Sequence, residues 1–278
     1  MVVEGCILGL IVFSLVFDGL LLTFGKRNRR VIELTKMIND VLMKFVKWVI
    51  WIALVGVFGL VADRVGQAGG GAAVWTELAR LAWYFLTVLI GLLLHGVVVL
   101  PLLLVFFACR NFVRQAVEFA KALLMAFSTA SSAAALPITI RDAEQRAGMP
   151  PKATRFVLPI GATINMDGTA LYEAVAVVFI AQAYGIDLSG AQLIVVALTT
   201  TLAAVGAAAI PQAGLVTMVM VMTAANVPVE GIGLLLSIDW LLDRFRTIVN
   251  VWSDTVGTAI VARRFGASTG ASRNARTA

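Results

Sequence analysis

Residues 127–137 read FSTASSAAALP, and the residues on either side of them decide the fold. They lie in an apolar stretch, 119–137, about as long as the roughly 20 residues that carry a helix across a bilayer. Arg110 and Arg114 stand before it; Arg141, Arg146, Lys152 and Arg155 stand after it. Short loops rich in Lys and Arg stay on the cytoplasmic side, so both ends of this stretch belong inside. It is therefore expected to enter and return by one face, as a hairpin whose tip is sheltered in protein or water, because bare backbone is not tolerated in lipid. Small residues running up to Pro137, where a helix should break, suit such a tip. A single long tilted helix is the alternative.

Working outward, six more apolar stretches appear, at 5–24, 41–62, 81–108, 156–183, 191–225 and 231–262. Apolar residues make up 60% of the 278 positions and charged ones 14%, against about one quarter charged in a soluble domain. Lys26, Arg27, Arg29 and Arg30 place the first connection inside, and Arg263 and Arg264 do the same for the end of the last stretch. Residues 184–190 and 226–231 carry no Lys or Arg, and 63–80 is mixed, so these three are expected outside. The stretch 191–225 is thus bounded by outside loops at both ends, and its centre, AVGAAAIPQAG at 204–214, is again small-residue and proline-broken. The two expected hairpins, 116–141 and 191–225, enter from opposite faces, and each precedes a helix interrupted by polar residues. The expected fold class is an all-α polytopic membrane protein with inverted repeats, two re-entrant hairpins and broken transmembrane helices, an arrangement typical of secondary carriers.

Other classes fit less well. The net charge of +6 sits in short clusters between apolar stretches, which is not a nucleic-acid patch. Cys6 and Cys109 lie in or at the end of apolar segments and suggest neither a disulfide framework nor a zinc site. No nucleophile-and-base pair points to an enzyme. His95 reads as a packed helix residue, residues 1–6 lack the basic start of a signal peptide, and 266–278 reads as a disordered tail.

Chemistry concentrates in two places. Asp239, Asp243, Arg246, Asn250 and Asp254 follow one another at spacings of four, three, four and four, which at about 100° per residue is one stripe roughly 80° wide. An ionisable group at mid-membrane costs about 2.5–3.5 kcal/mol or more, so the stripe must face protein, water or ions. Three carboxylates and an arginine suit a zwitterion together with cations; an intrahelical ladder of salt bridges is the alternative. Arg244 lies well off the stripe. Within 156–183, Asn165, Met166, Asp167, Gly168 and Thr169 bring poor helix formers into an apolar span and should unwind it. The freed carbonyls beside the Asp167 carboxylate are hard oxygen ligands suited to an alkali cation, although a kink without a ligand is also possible. Glu173 is one more acid in the span, and such residues are candidate proton relays. Ser131 and Ser132 offer hydroxyls at the first tip, where helix N-termini attract a carboxylate.

LPIGATINMDGTALYEA at 158–174, AAIPQAGLVTMV at 208–219 and DWLLDRFRTIVNVWSD at 239–254 resemble signatures of the glutamate/aspartate transporter family, the dicarboxylate/amino-acid:cation symporters. The similarity extends from residue 9 to 265. The resemblance implies a homotrimer in the membrane, with a static scaffold and a transport domain that moves like an elevator. By this likeness residues 1–66 are part of the scaffold and 75–265 the transport domain, without helices that the family carries before residue 5. It implies that Asp243 and Thr247 hold the substrate ammonium, Asn250 its main-chain carboxylate, and Arg246 its side-chain carboxylate, with help from Thr169. Backbone near Ser132, Ile210 and Gly214 completes the pocket. Sodium is implied at the Gly161 carbonyl, Asn165, Asp167, Asn250 and Asp254, with a further site at the Ala204, Val205 and Ala207 carbonyls. Ala130 in the first tip and Arg244 on the last helix resemble the eukaryotic excitatory branch. Arg246 and Glu173 imply an acidic substrate, with proton and potassium coupling added to sodium and no organic cofactor. A multi-pass plasma-membrane protein is expected. The second reading is a truncated, non-transporting relative that assembles with full-length subunits.

Overall fold

The computed structural model describes residues 72–207 and 213–274, together with isolated positions between 17 and 66. The chain divides into two compact units, Met1–Val74 and Trp75–Ala278. The region read as scaffold, 1–66, lies almost wholly outside the described residues, whereas the second unit is described almost throughout.

Among the described residues the ordered structure is all helical. Helix α1 (Ala72–Leu94) runs on through a π-helical turn (His95–Val99), a short α2 (Leu100–Leu103) and a second π turn (Leu104–Ala108). The first distortion has an identifiable cause: Pro101 has no N–H to give the Val97 carbonyl four residues back, which lies in that turn. The rod from Leu78 to Ala108 is 31 residues long and strongly apolar, long enough to cross a bilayer. It ends at Cys109, which is left-handed at φ 50°.

After α3 (Phe112–Glu118) come α4 (Ala120–Thr129) and α5 (Ser132–Gln145), which pack on each other. Two residues make the turn between them. Ala130 is left-handed at φ 48°, and the Ser131 side chain caps α5 by accepting from the Ala134 N–H at 3.2 Å. Pro137 lies inside α5 rather than at the break expected of it. The left-handed residue and the cap turn the chain, and the proline merely leaves the Ala133 carbonyl without a helical donor.

Helix α6 (Pro151–Ile164) and α7 (Asp167–Ala183) form one interrupted span, with Asn165 (φ −94°, ψ 75°) and Met166 (φ −110°, ψ 59°) out of helical conformation. Helix α8 (Gly190–Gly206) opens on a reciprocal Ser189–Gln192 cap and packs on α9 (Ala213–Ala224). The connection 208–212, which includes Ile210, lies outside the described residues. After a 3₁₀ turn at Val229–Gly231, α10 (Ile232–Asn274) closes the unit. It continues into the segment expected as a disordered tail, as far as Asn274.

Helix α10 packs on α4, α5, α6 and α7, while Trp240 on it stays exposed. The fully buried side chains Tyr84, Phe119, Tyr172, Ile180 and Leu242 fill the core. Outward faces carry Trp83, Phe106, Phe156, Leu198 and Leu202, all exposed. Apolar surface on that scale is suited to lipid.

Candidate substrate and cation site

The α10 stripe is buried throughout: Asp239 is 0% exposed, Arg246 2%, Asp243 3%, and Asn250 and Asp254 4%. Arg246 donates to Asp243 Oδ1 from both Nε (3.0 Å) and Nη2 (2.6 Å). Its guanidinium carbon stands 4.7 Å from the centre of the Tyr172 ring, a cation–π geometry. The third nitrogen, Nη1, makes no hydrogen bond and lies 3.9 Å from Asp239 Oδ1. The Tyr172 hydroxyl donates to that same Asp239 oxygen at 2.6 Å. Thr247 turns its hydroxyl back to the Asp243 carbonyl at 2.7 Å.

The interrupted span meets the lower half of the stripe. The Asn165 amide donates to Asp254 Oδ1 (3.0 Å) and Ser253 Oγ (2.7 Å). Asn250 works in both directions: its Oδ1 accepts from the Gly168 N–H at 2.8 Å, and its Nδ2 donates to Thr169 Oγ1 at 3.1 Å. Gly161 lies against the Asp254 carboxylate, so closely that a Cβ there would sit 2.8 Å from its carboxyl carbon. The Asp167 and Asp254 carboxylates and the Asn250 amide oxygen lie at the break. This hard donor set fits a small alkali cation, and among the described residues no trio of His, Cys, Asp or Glu is grouped for a transition metal.

The other predicted residues fall around these two centres. Ala204 and Ala207 pack with Met166 in a small buried cluster, bringing the end of α8 to the break, whereas the Val205 side chain is exposed. Gly214 faces the Arg246 guanidinium. Glu173 is fully buried and accepts from Thr217 of α9. Ser131 is committed to capping α5, and Ser132 is buried as its first residue. Arg244 donates to the Phe127 (2.9 Å) and Ser128 (2.8 Å) carbonyls in the last turn of α4, where a cation is favoured by the helix dipole.

Two partners escape a reading of the sequence. His95, expected as a packed helix residue, places its Nε2 2.5 Å from Asp167 Oδ2. The π turn it begins, not readable from spacing, brings it there, and the neighbouring Gly96 carbonyl accepts from Trp252 at 3.1 Å. Tyr172, though inside the 158–174 motif, gives no signal in the sequence as the aromatic and hydrogen-bonding neighbour of the stripe.

An interrupted span, two helix pairs and a buried stripe of opposite charges define an all-helical protein of the membrane-carrier type. The sodium:dicarboxylate symporter family matches residues 1–264, and the chain belongs to it. It is 45% identical over 257 residues to excitatory amino acid transporter 3 of Mus musculus, covering 92% of this chain and 48% of that protein. It is 46% identical over 258 residues to the putative sodium-dependent excitatory amino acid transporter glt-4 of Caenorhabditis elegans, covering 92% and 51%. Excitatory amino acid transporter 2 of Homo sapiens is 44% identical over 255 residues, covering 92% and 44%. The chain spans about half the length of the curated relatives it matches.

Proposed function

We propose that this chain carries the substrate and cation sites of a sodium-coupled symporter of acidic amino acids. The carrying observation is the buried Asp243–Arg246 pair, continuous through Asn250 and Asp254 with the interrupted span. A buried ion pair resists separation because each charge left alone is strongly disfavoured. A ligand separates it readily only by offering both charges itself. An acidic amino acid does so: its ammonium goes to Asp243 and its side-chain carboxylate to Arg246, whose Nη1 is already unspent. The fixed guanidinium fork then selects a carboxylate over a neutral side chain. Asn250, tied to Gly168 and Thr169, holds the main-chain carboxylate beside the broken helix, and Thr247 can turn its hydroxyl to the ammonium.

Sodium travels as co-substrate on the oxygens of Gly161, Asn165, Asp167, Asn250 and Asp254, with a second position at the carbonyls of Ala204, Val205 and Ala207. The backbone of Ser132, Ile210 and Gly214 lines the pocket. Glu173 carries a proton inward, and a potassium ion takes its place on the return. Residues 75–265 then act as the moving transport domain of an elevator carrier, with the α4–α5 and α8–α9 pairs as re-entrant hairpins, in a homotrimer of the plasma membrane.

The test is Arg246→Cys in the whole protein, reconstituted in liposomes. It should abolish acidic substrate uptake yet leave exchange of small neutral amino acids. Aspartate uptake with unchanged affinity would overturn the assignment.

A further inference from the structure

Four buried polar atoms around Arg246 make no hydrogen bond: Arg246 Nη1, Glu173 Oε2, Asp239 Oδ2 and the Tyr84 hydroxyl. Buried polar groups are nearly always paired, so each such atom requires an explanation. The proposed function assigns the first to the substrate and the second to cations. The last two have no role in it.

They belong together. Tyr84, on α1, is 1% exposed, and its ring packs on Phe179 with centroids 4.8 Å apart. Its hydroxyl is directed at the Tyr172 hydroxyl, which itself donates to Asp239, and lies within electrostatic reach of Asp239 and Arg246. Both meet on Tyr172, whose hydroxyl stands next to that of Tyr84 and donates to Asp239. Asp239 meanwhile stands at 3.9 Å from Arg246 Nη1, too far to bond and near enough to do so with a small rotation.

We propose that Tyr84 is a positioning residue for Arg246. Its hydroxyl donates to the Tyr172 hydroxyl, which in turn donates to Asp239 Oδ1. Asp239 is thereby fixed by a chain of two tyrosines as a counter-charge that faces Arg246 without capturing it. Released from that chain, Asp239 turns to Nη1 and occupies the nitrogen that the acidic side chain needs. Tyr84 thus sets the preference for acidic over neutral ligands from behind the site, touching neither. The inference rests on the proposed role of Arg246.

Tyr84→Phe removes the hydroxyl and keeps the ring on Phe179. In the whole protein, aspartate affinity should fall roughly three- to tenfold, the worth of one buried hydrogen bond. Neutral amino-acid binding by the Arg246→Cys protein should not change when Tyr84→Phe is added, because no guanidinium remains to be captured. On an Asp239→Asn background Tyr84→Phe should add nothing further to the loss of aspartate affinity, a non-additivity that a general packing defect does not produce. Aspartate affinity within about twofold of the parent, equal losses for neutral ligands, or additive losses on Asp239→Asn would each overturn the proposal. If Tyr84→Phe does not fold, Tyr84→Trp with its displaced donor replaces it, and the same acidic-to-neutral ratio decides. A parent protein that binds no aspartate would sink the carrier reading as well; a parent with Arg246-dependent binding and an indifferent Tyr84→Phe would sink this inference alone.

Discussion

At residue 214 a side chain as small as a methyl group meets the site directly. An ideal Cβ on Gly214 would lie 2.5 Å from Arg246 Nη1 and 3.0 Å from its guanidinium carbon, so the guanidinium would have to give way. Since Arg246 is also held by Asp243, a shift of a few tenths of an ångström strains a bonded group. Gly214→Ala is expected to weaken acidic-ligand binding about tenfold, in line with 1–3 kcal/mol for overpacking a tight contact, with little change in the binding of neutral ligands by the Arg246→Cys protein. Titration calorimetry on the purified variants checks it, and parent-like affinity for aspartate would remove Gly214 from the binding site. Asn250 illustrates the same economy of atoms. One amide serves the Gly168 N–H and the Thr169 hydroxyl, so the first turn of α7 is fastened to α10 by a side chain that reads in the sequence only as one more polar residue on a stripe.

Among the helices, the link from α5 to α6 is fastened by Glu144. It accepts from Arg155 Nε (2.8 Å) and Nη2 (3.2 Å) and from Thr154 Oγ1 (3.0 Å). The Arg155 guanidinium, helped by the Thr154 hydroxyl, holds the Glu144 carboxyl below its ordinary range. A carboxylate depressed in the folded state adds stability above its unfolded pKa and loses it as pH falls through the folded one. The Tm should therefore drop on acidification, and Glu144→Gln should flatten that part of the profile; the effect is small, because Arg155 is largely exposed. Scanning calorimetry of both proteins across the acid range tests this, and identical profiles would deny the link any role. What is legible in the sequence at this scale comes from period and propensity. The stripe is readable because α10 keeps helical phase from Asp239 to Asp254, and the break because Asn, Asp and Gly resist helix. The tip of the first pair falls at Ala130 rather than at Pro137, and nothing in FSTASSAAALP marks that alanine as the residue that turns left-handed. His95 and Tyr84 stay hidden for a related reason: an apolar rod offers no polar pattern to phase, and π turns change which face points inward.

For the whole second unit, α10 is the member against which the first helix pair and the interrupted span both pack. If the pairs are re-entrant from opposite sides, single cysteines should report it. With Cys6 and Cys109 replaced, a cysteine at Ala134 should react with impermeant thiol reagents applied from the cytoplasmic side, and one at Ala208 from the outside. Labelling of Ala208 only from the inside would overturn the topology. The replacement of Cys109 matters because its thiol is free and exposed. The π turns at His95–Val99 and Leu104–Ala108 bear on how this chain can change over evolutionary time. Each widened turn accommodates one residue more than a regular helix needs. Losing a single codon inside one of these turns would restore regular winding there with the flanks still in phase, whereas a loss in the regular helix before His95 would swing one flank of the rod by about 100° relative to the other. A one-residue gap is therefore tolerated at the π turns and not in the regular helix that precedes them. Alignments of descendants should place any gap within the rod at 95–99 or 104–108, and gather the rest in the loop 184–190.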